Sequence, residues 1–248
     1  MSNPKQEVAP PPFRIFATTQ WSVVLAAGED DSILAEHALE ALCITYWYPI
    51  YVYVRRKGHG PDDAQDLTQE FFLQLIAKKR LRLADGNKGR FRSFLLALLD
   101  SFLARQWSRE HRQKRGGLLH FISFDLQTPE ERYRLEPPDS DSPGKNFDRQ
   151  WAMTVLRQAM DTLQRECEAA GKGALFGELK VMLSGEDENA AYSTIAPRLG
   201  MTQGAVRVAV HRLRQRYGEI LRAEVAQTVE SADDVDEEMR YLLSALVE

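Results

Sequence analysis

The residues of this sequence best suited to chemistry are the arginines that follow a glycine near residue 200. Between residues 203 and 217 the chain has four arginines, one histidine and no acidic residue. Guanidinium groups pair with phosphates and with guanine edges, so this composition suits nucleic-acid binding. Apolar residues recur through the same stretch at helical intervals, at Val206, Ala209, Val210 and Leu213. The stretch is therefore predicted to be a helix with an apolar back and a basic front, which carries Arg207, His211, Arg212 and Arg214.

Elements on the N-terminal side must position this basic helix. Ile195 and Leu199 would share one face of a shorter helix, and Gly200 supplies the turn after it. Thr202 is placed to cap the second helix. Residues 190–217 therefore predict a helix-turn-helix, whose second helix would enter the major groove of DNA. The alternative is an ordinary helical hairpin with a solvated basic face.

Two details of the helix-turn-helix concern its helix starts. Pro197 has no N–H, so we expect the first helix to begin at Ser193 or Thr194, where little is lost. In the second helix, Gln203 and Gly204 occupy the first turn, whose backbone amides can hold a phosphate.

An acidic segment at residues 61–79 is the second informative stretch. Pro61 followed by two aspartates predicts a helix start, because acids complement the positive end of the helix dipole. Leu67 and Phe71 can pack inward. An outer strip would consist of Asp63, Asp66, Gln69 and Glu70. Periodicity alone does not distinguish a binding surface from a solvated face.

A basic segment follows directly. Residues 78–92 hold seven Lys or Arg and one acid, and residues 91–115 predict a long helix. The end of that helix mixes Arg105, Arg109 and Arg112 with Trp107. Cations interleaved with aromatic rings suit a nucleic acid with exposed bases. A basic helix end also complements the helix dipole, which is the alternative explanation.

Composition limits the class of protein. The 248-residue chain has a net charge of −4, and we find no metal-ligand cluster, phosphate loop or nucleophile–base pair in it. We therefore expect a non-enzyme without cofactor, metal or small-molecule substrate. No apolar run approaches the roughly 20 residues that span a bilayer, so no membrane partner is expected. Without a secretory signal pattern, Cys43 and Cys167 are expected to be reduced in the cytoplasm.

Three stretches together resemble the bacterial σ70 family of RNA polymerase sigma factors, extracytoplasmic-function group. DDAQDLTQEFFLQLI resembles region 2.2, and FRSFLLALLDSFLARQWSREHRQKR resembles regions 2.3 and 2.4. YSTIAPRLGMTQGAVRVAVHRLRQRY resembles region 4.2. The order and separation of regions 2.2 and 4.2 carry the resemblance, which covers about half of the chain. The chain departs from the family pattern at Phe94, where a Trp is usual, and in an added acidic tail.

The resemblance implies roles for particular residues. Core RNA polymerase would be bound, through the coiled-coil of its largest subunit, by Asp63, Asp66, Gln69, Glu70 and Phe71. The −10 promoter element would be contacted by Asn87, Lys88, Arg90, Phe91, Arg92 and Phe94, and by the helix end with Arg105, Trp107, Arg109 and Arg112. The −35 element would be contacted from the major groove by Thr202, Gln203, Gly204, Arg207, His211, Arg212 and Arg214. Promoter DNA and polymerase are thus the implied partners, and an anti-sigma protein is a further candidate.

The resemblance and the composition divide the chain into an all-α, two-domain organisation. A disordered N-terminus at 1–12 would precede a region 2-like helical domain at 13–117. A Pro-rich linker at 118–147 would lead to a region 4-like helix-turn-helix domain at 148–228. The tail at 229–248 is acidic and ends in a short amphipathic helix, and we expect it to cover a basic surface of the free protein.

Two functions follow as hypotheses. The first is a sigma factor that directs RNA polymerase to promoters and initiates transcription. Its acidic balance fits, because such a factor need not bind DNA strongly before polymerase positions its two domains. The alternative is a stand-alone helix-turn-helix regulator that binds DNA without polymerase, in which case the acidic strip would only face solvent.

Overall fold

The computed structural model describes residues 33–77, 90–110, 128–136, 142–184, 188–229 and 231–247. Regular structure in these ranges is entirely helical, which confirms the all-α prediction. Their α-helices are α1 (Ile33–Arg56), α2 (Pro61–Ala77), α3 (Phe91–Glu110), α4 (Pro129–Arg134), α5 (Pro143–Ala169), α6 (Gly173–Leu179), α7 (Glu188–Arg198), α8 (Gln203–Ala226) and α9 (Val235–Val247). Short 3₁₀-helices at Lys180–Ser184 and Ala232–Asp234 precede α7 and α9. The predicted segment 1–12 lies outside the described residues.

The first three helices pack through aromatic side chains. Tyr46 of α1 is fully buried, and its ring centroid lies 5.1 Å from that of Phe91 at the start of α3. Phe71 of α2 and Phe102 of α3 meet edge to face at 5.6 Å. Edge-to-face pairs of this kind add about 0.5–1.5 kcal/mol beyond the area that they bury. The aromatic density of this part of the sequence therefore serves the core.

The long helix α5 lies at the centre of the remaining helices. Ser142 caps it by accepting from the Lys145 N–H, and Pro143 occupies its first turn. Trp151 and Phe147 are fully buried where α5 packs on α1. On another side, the Tyr217 hydroxyl of α8 donates to the carbonyl of Leu156 at 3.1 Å.

One main core joins the two parts of the chain that the sequence predicts as separate domains. It contains buried residues of α1, α2 and α3 together with those of α5, α8 and α9. A smaller cluster underlies the helix-turn-helix and consists of Leu179, Met182, Tyr192, Ile195, Ala196, Val206 and Val210. The predicted domains are therefore in contact, and their independence stays a prediction.

The predicted linker at 118–147 contains regular structure at its C-terminal end. Thr128 accepts from the Glu131 N–H while the Glu131 carboxylate accepts from the Thr128 N–H, a capping box that starts α4. The helix is held to α1 because Arg55 forms an ion pair with Glu130. In addition, α5 begins at Pro143 rather than at residue 148. Residues 118–127 lie outside the described part of the chain.

The described residues contain no helix that is both long and apolar enough to cross a lipid bilayer. Cys43 is buried and Cys167 half-buried, and neither forms a disulfide. Burial raises the pKa of the Cys167 thiol above its ordinary value.

Candidate nucleic-acid interface

The turn between α7 and α8 has the hydrogen bonds of a Schellman motif. The Met201 N–H donates to the carbonyl of Ala196 at 2.9 Å, and the Gly200 N–H donates to that of Pro197 at 3.2 Å. Gly200 has a φ of 63°, a left-handed conformation in which a side chain would be strained. This geometry ends α7 and sets the direction in which α8 leaves.

The start of α7 differs from the expectation. The helix is described from Glu188, so Ser193 and Thr194 lie inside it and Pro197 falls in its last turn. Tyr192 and Ile195 are both buried in the smaller core cluster, and their i, i+3 spacing places them on one face of a helix that already includes Tyr192. Since α7 ends one residue after Pro197, the missing N–H costs one hydrogen bond near the end of the helix.

The start of α8 follows the expectation. Thr202 is extended, with φ −78° and ψ 153°, and its hydroxyl accepts from the Ala205 N–H at 3.2 Å. Gln203 and Gly204 are exposed in the first turn. An N-capped helix end with exposed amides attracts phosphate through its dipole.

The outer face of α8 is centred on a stripe that includes the predicted site residues Gly204 and His211 and two residues that the basic pattern did not predict, Val208 and Gln215. Its members follow one another at i, i+4, i+7 and i+11 and are all exposed: Gly204, Val208, His211 and Gln215. Val208 has 50% of its surface exposed, although valine is usually buried. Arg207 flanks the stripe on one side and Arg212 on the other, and both are exposed. A helical projection of the sequence would have found Val208, because the buried face is centred opposite to it.

Not every arginine of α8 belongs to this face. Arg214 is half-buried and donates from Nη2 to the carbonyl of Met182, so it ties α8 to the preceding 3₁₀-helix. Arg214 is thus engaged within the protein in this conformation, and its predicted contact with the −35 element stays a prediction. Arg216 forms a two-pronged pair with Glu166 of α5 at 2.7 and 2.8 Å. The hydrogen bonds to Arg216 hold the pKa of Glu166 below its ordinary value.

The residues predicted to face the −10 element are only partly at the surface. Phe91 and Arg92 are 1% and 5% exposed, so both are corrected to buried positions in this conformation. Phe94 is half-buried with its ring 6.4 Å from Phe91, and Arg105 is exposed. Trp107 and Arg109 lie in the last turns of α3. Asn87, Lys88 and Arg112 lie outside the described residues.

Arg90 and Arg92 are covered by the C-terminal helix. Glu238 of α9 is fully buried, with Oε2 2.7 Å from Arg90 Nε and Oε1 2.8 Å from Arg92 Nε. Arg90 also pairs with Glu237, and Arg92 Nη1 lies 3.0 Å from Asp148 Oδ1 of α5. Burial would lower the pKa of Arg92, but the bonds to Glu238 and the charge of Asp148 outweigh burial and raise it. The basic surface that the tail was expected to cover is thus this arginine pair.

The Tyr241 ring of α9 also lies over the two arginines. The Tyr241 hydroxyl of α9 donates to Asp148 Oδ2 at 2.7 Å, and the Arg92 guanidinium lies 3.6 Å from the centroid of the Tyr241 ring. The charge pattern of the sequence did not reveal Asp148 and Glu238 as partners of Arg92, because they are 56 and 146 residues away from it in sequence.

The acidic helix α2 presents part of the predicted strip. Asp63 and Asp66 are exposed, and Glu70 is half-buried and accepts from Gln74 Nε2 at 2.7 Å. Gln69 is 7% exposed, so its assignment to the outer strip is corrected. Phe71 is 3% exposed and packs inward as predicted, and its contact with polymerase stays a prediction. The exposed part of α2 instead combines aspartates with Leu73, which has 41% of its surface exposed. An acidic surface with one apolar side chain can serve a basic protein partner.

The described residues show no metal-binding cluster. In that part of the chain, no three His, Cys, Asp or Glu side chains are grouped so that they could hold a metal ion. The exposed face of α8 and the exposed acids of α2 are the surfaces whose chemistry is distinctive. No protein-family model, no curated protein and no solved structure matches the chain.

Proposed function

We propose that this protein is a sigma-type transcription initiation factor, which binds core RNA polymerase and directs it to promoters. The face of α8 supports the DNA-binding part, because it is exposed, basic at its flanks and held by a Schellman turn. The exposed aspartates of α2 support the polymerase-binding part, because a second charged surface on another helix suits a protein partner. The observation that carries the proposal is the presence of both surfaces in one chain.

In this proposal, each surface has one task. The stripe on α8 would contact base edges of the −35 element in the major groove, and Arg207 and Arg212 would contact the flanking phosphates. The start of α3 would contact the −10 element. Asp63 and Asp66 would guide the encounter with polymerase, since charges at an interface rim affect association more than total affinity.

A pull-down of purified core RNA polymerase tests the proposal. The full chain is compared with Asp66→Arg and with Asp161→Arg, a matched charge reversal at an exposed position of α5. We expect the wild type and Asp161→Arg to retain polymerase and Asp66→Arg to lose about tenfold in apparent affinity.

Two outcomes would contradict the proposal. If the wild type retains no polymerase but binds a palindromic duplex by itself, the protein is a stand-alone regulator. If Asp66→Arg and Asp161→Arg retain polymerase equally well, α2 is not the polymerase-binding surface.

A further inference from the structure

We propose that α9 is an intramolecular competitor of DNA, whose carboxylates occupy the arginine pair Arg90 and Arg92 that phosphates of an opened promoter strand would otherwise bind. The inference rests on the proposed function, since that function makes nucleic acid the ligand of the pair. Beyond that function, the inference states that carboxylates compete with phosphates and that α9 must leave before DNA can bind the arginine pair.

The contact geometry supports an exchange of like for like. Glu238 Oε1 accepts from Arg92 Nε at 2.8 Å, and its Oε2 forms an ion pair with Arg90 Nε at 2.7 Å. A phosphodiester also has two non-bridging oxygens that share a negative charge and accept from guanidinium groups. Glu237 adds a second carboxylate to Arg90, as a neighbouring phosphate would.

Burial explains why the pair needs an anion in every state. Glu238 is fully buried and Arg92 nearly so, and a buried charge without a partner is strongly unfavourable. In the free chain, the carboxylates of α9 compensate the arginines. When α9 leaves, Glu238 reaches water and DNA phosphates can compensate the arginines in its place. Competition therefore needs no state in which Arg92 is buried and unpaired, and the half-buried Arg90 exchanges one anion for another.

The position of α9 suits a detachable element. It is a 13-residue helix near the end of the chain, and it is anchored by the buried side chains of Val235 and Leu242. Its opposite side exposes Leu243 and Val247, at 52% and 87% of their surface.

Docked α9 also joins α3 to α5. Asp148 of α5 lies 3.0 Å from Arg92 and accepts from Tyr241 of α9 at 2.7 Å. Because α5 belongs to the second predicted domain, the helix holds both predicted domains at one junction. Its release would free Arg90 and loosen the remaining contact between Arg92 and Asp148.

Binding of a short fluorescein-labelled single-stranded oligonucleotide, followed by anisotropy, tests the competition. The chain is compared with Glu238→Arg, which places a third cation beside Arg90 and Arg92, and with Asp233→Arg as control. Asp233 is exposed in the 3₁₀-helix before α9, so the control changes net charge equally without touching the arginine pair. If α9 is docked in about nine molecules of ten, Glu238→Arg should bind about tenfold more tightly than Asp233→Arg.

A chain that ends at residue 230 provides a second variant. It retains Thr228, whose carbonyl accepts from the Phe91 N–H at 3.4 Å, and the buried Val229. We expect it to show the same gain in binding, and faster hydrogen exchange at residues 90–95 and 143–152. Circular dichroism establishes that both variants remain helical. If the truncated chain folds and binds no more tightly than the full chain, or if Asp233→Arg gains as much as Glu238→Arg, the inference is wrong.

These readouts separate the inference from the proposed function. A gain in oligonucleotide binding without retention of polymerase would overturn the sigma proposal and leave the competition standing. Retention of polymerase without any gain would overturn the competition and leave the sigma proposal standing.

Discussion

Val208 is an apolar side chain on the exposed face of α8. It is half exposed on a helix face that otherwise carries polar or charged groups and glycine. In the major groove, an apolar side chain can contact the 5-methyl group of thymine. If α8 enters the groove as proposed, Val208 therefore gives the interface a preference for thymine that arginine cannot give.

Replacing thymine by deoxyuridine in a duplex that the protein binds tests this contact, because deoxyuridine lacks only the methyl group. At the contacted position we expect wild-type affinity to fall about fourfold, the equivalent of about 0.8 kcal/mol for one buried methyl. Val208→Ser should bind more weakly and be insensitive to the replacement. An equal sensitivity of both proteins at every thymine would show that Val208 does not face a base.

Arg207 and Arg214 both belong to the predicted basic front of α8, but their structural environments differ. Arg207 is exposed and lies 5.3 Å over the Tyr192 ring, whereas Arg214 donates to the Met182 carbonyl. Arg207→Ala should weaken duplex binding and reduce the log–log salt slope by about 1, while loss of the Tyr192 contact costs only about 0.5–1 kcal/mol of unfolding free energy. Arg214→Ala should instead cost about 1–2 kcal/mol of unfolding free energy, because it leaves a carbonyl without its charged donor. Salt titrations and urea denaturation of both variants measure these effects. If Arg214→Ala lowers the salt slope and Arg207→Ala lowers stability more, the two roles are reversed.

At the scale of elements, α4 shows how a short helix is held in place. Glu130 accepts from the Tyr51 hydroxyl at 2.7 Å and pairs with Arg55 through both oxygens, at 3.0 and 3.1 Å. Burial alone would raise the pKa of Glu130, but these hydrogen bonds outweigh burial and hold it below its ordinary value. Because the folded-state pKa is lower than the unfolded one, the carboxylate stabilises the fold above its ordinary pKa.

Glu130→Gln should therefore cost about 1–2 kcal/mol of unfolding free energy at pH 7. As pH falls below the ordinary value of 4.5 and through the lower folded-state pKa, the difference from wild type should vanish, since protonation removes the same charge. Urea denaturation across this pH range measures the difference in unfolding free energy between Glu130→Gln and the wild type. Asp161→Asn, at an exposed carboxylate on α5, is the control, and an equal pH dependence in the two variants would refute the role of Glu130.

At the scale of the whole molecule, the main core connects the two predicted domains. Trp151 of α5 is fully buried within this core, and the Arg92 guanidinium lies 5.6 Å from the centroid of its ring. Met182 lies in the smaller cluster beneath the helix-turn-helix and is 2% exposed. The two residues therefore probe different parts of the fold.

Trp151→Ala should cost about 3–5 kcal/mol and Met182→Ala about 2–5 kcal/mol of unfolding free energy. Hydrogen exchange shows which helices each substitution destabilises. We expect Trp151→Ala to reduce protection in α1 and α8 together, whereas Met182→Ala should act mainly on α7 and the start of α8. Loss of protection confined to α5–α8 in Trp151→Ala would mean that the two predicted domains are independently stable.

Much of the local structure could be predicted from sequence because its causes are local. Thr202 and Gly200 define the turn and cap through their own backbone preferences, and the apolar spacing from Val206 to Leu213 determines which side of α8 is buried. The capping box at Thr128 and Glu131 was also readable, although the surrounding prolines favoured a linker. Errors at Pro197 and Gln69 have another origin, since burial against other elements outweighed the local pattern.

The sequence by itself determined that this chain is helical, where its basic and acidic segments lie, and which residue types suit DNA. Only the tertiary structure decided which charged side chains are available to a partner. Arg92, Arg214 and Arg207 have the same guanidinium, yet carboxylates and a carbonyl from distant segments hold the first two inside. The physical reason is that a buried cation requires an anion or acceptor, and its partner can come from any part of the chain that folding brings near.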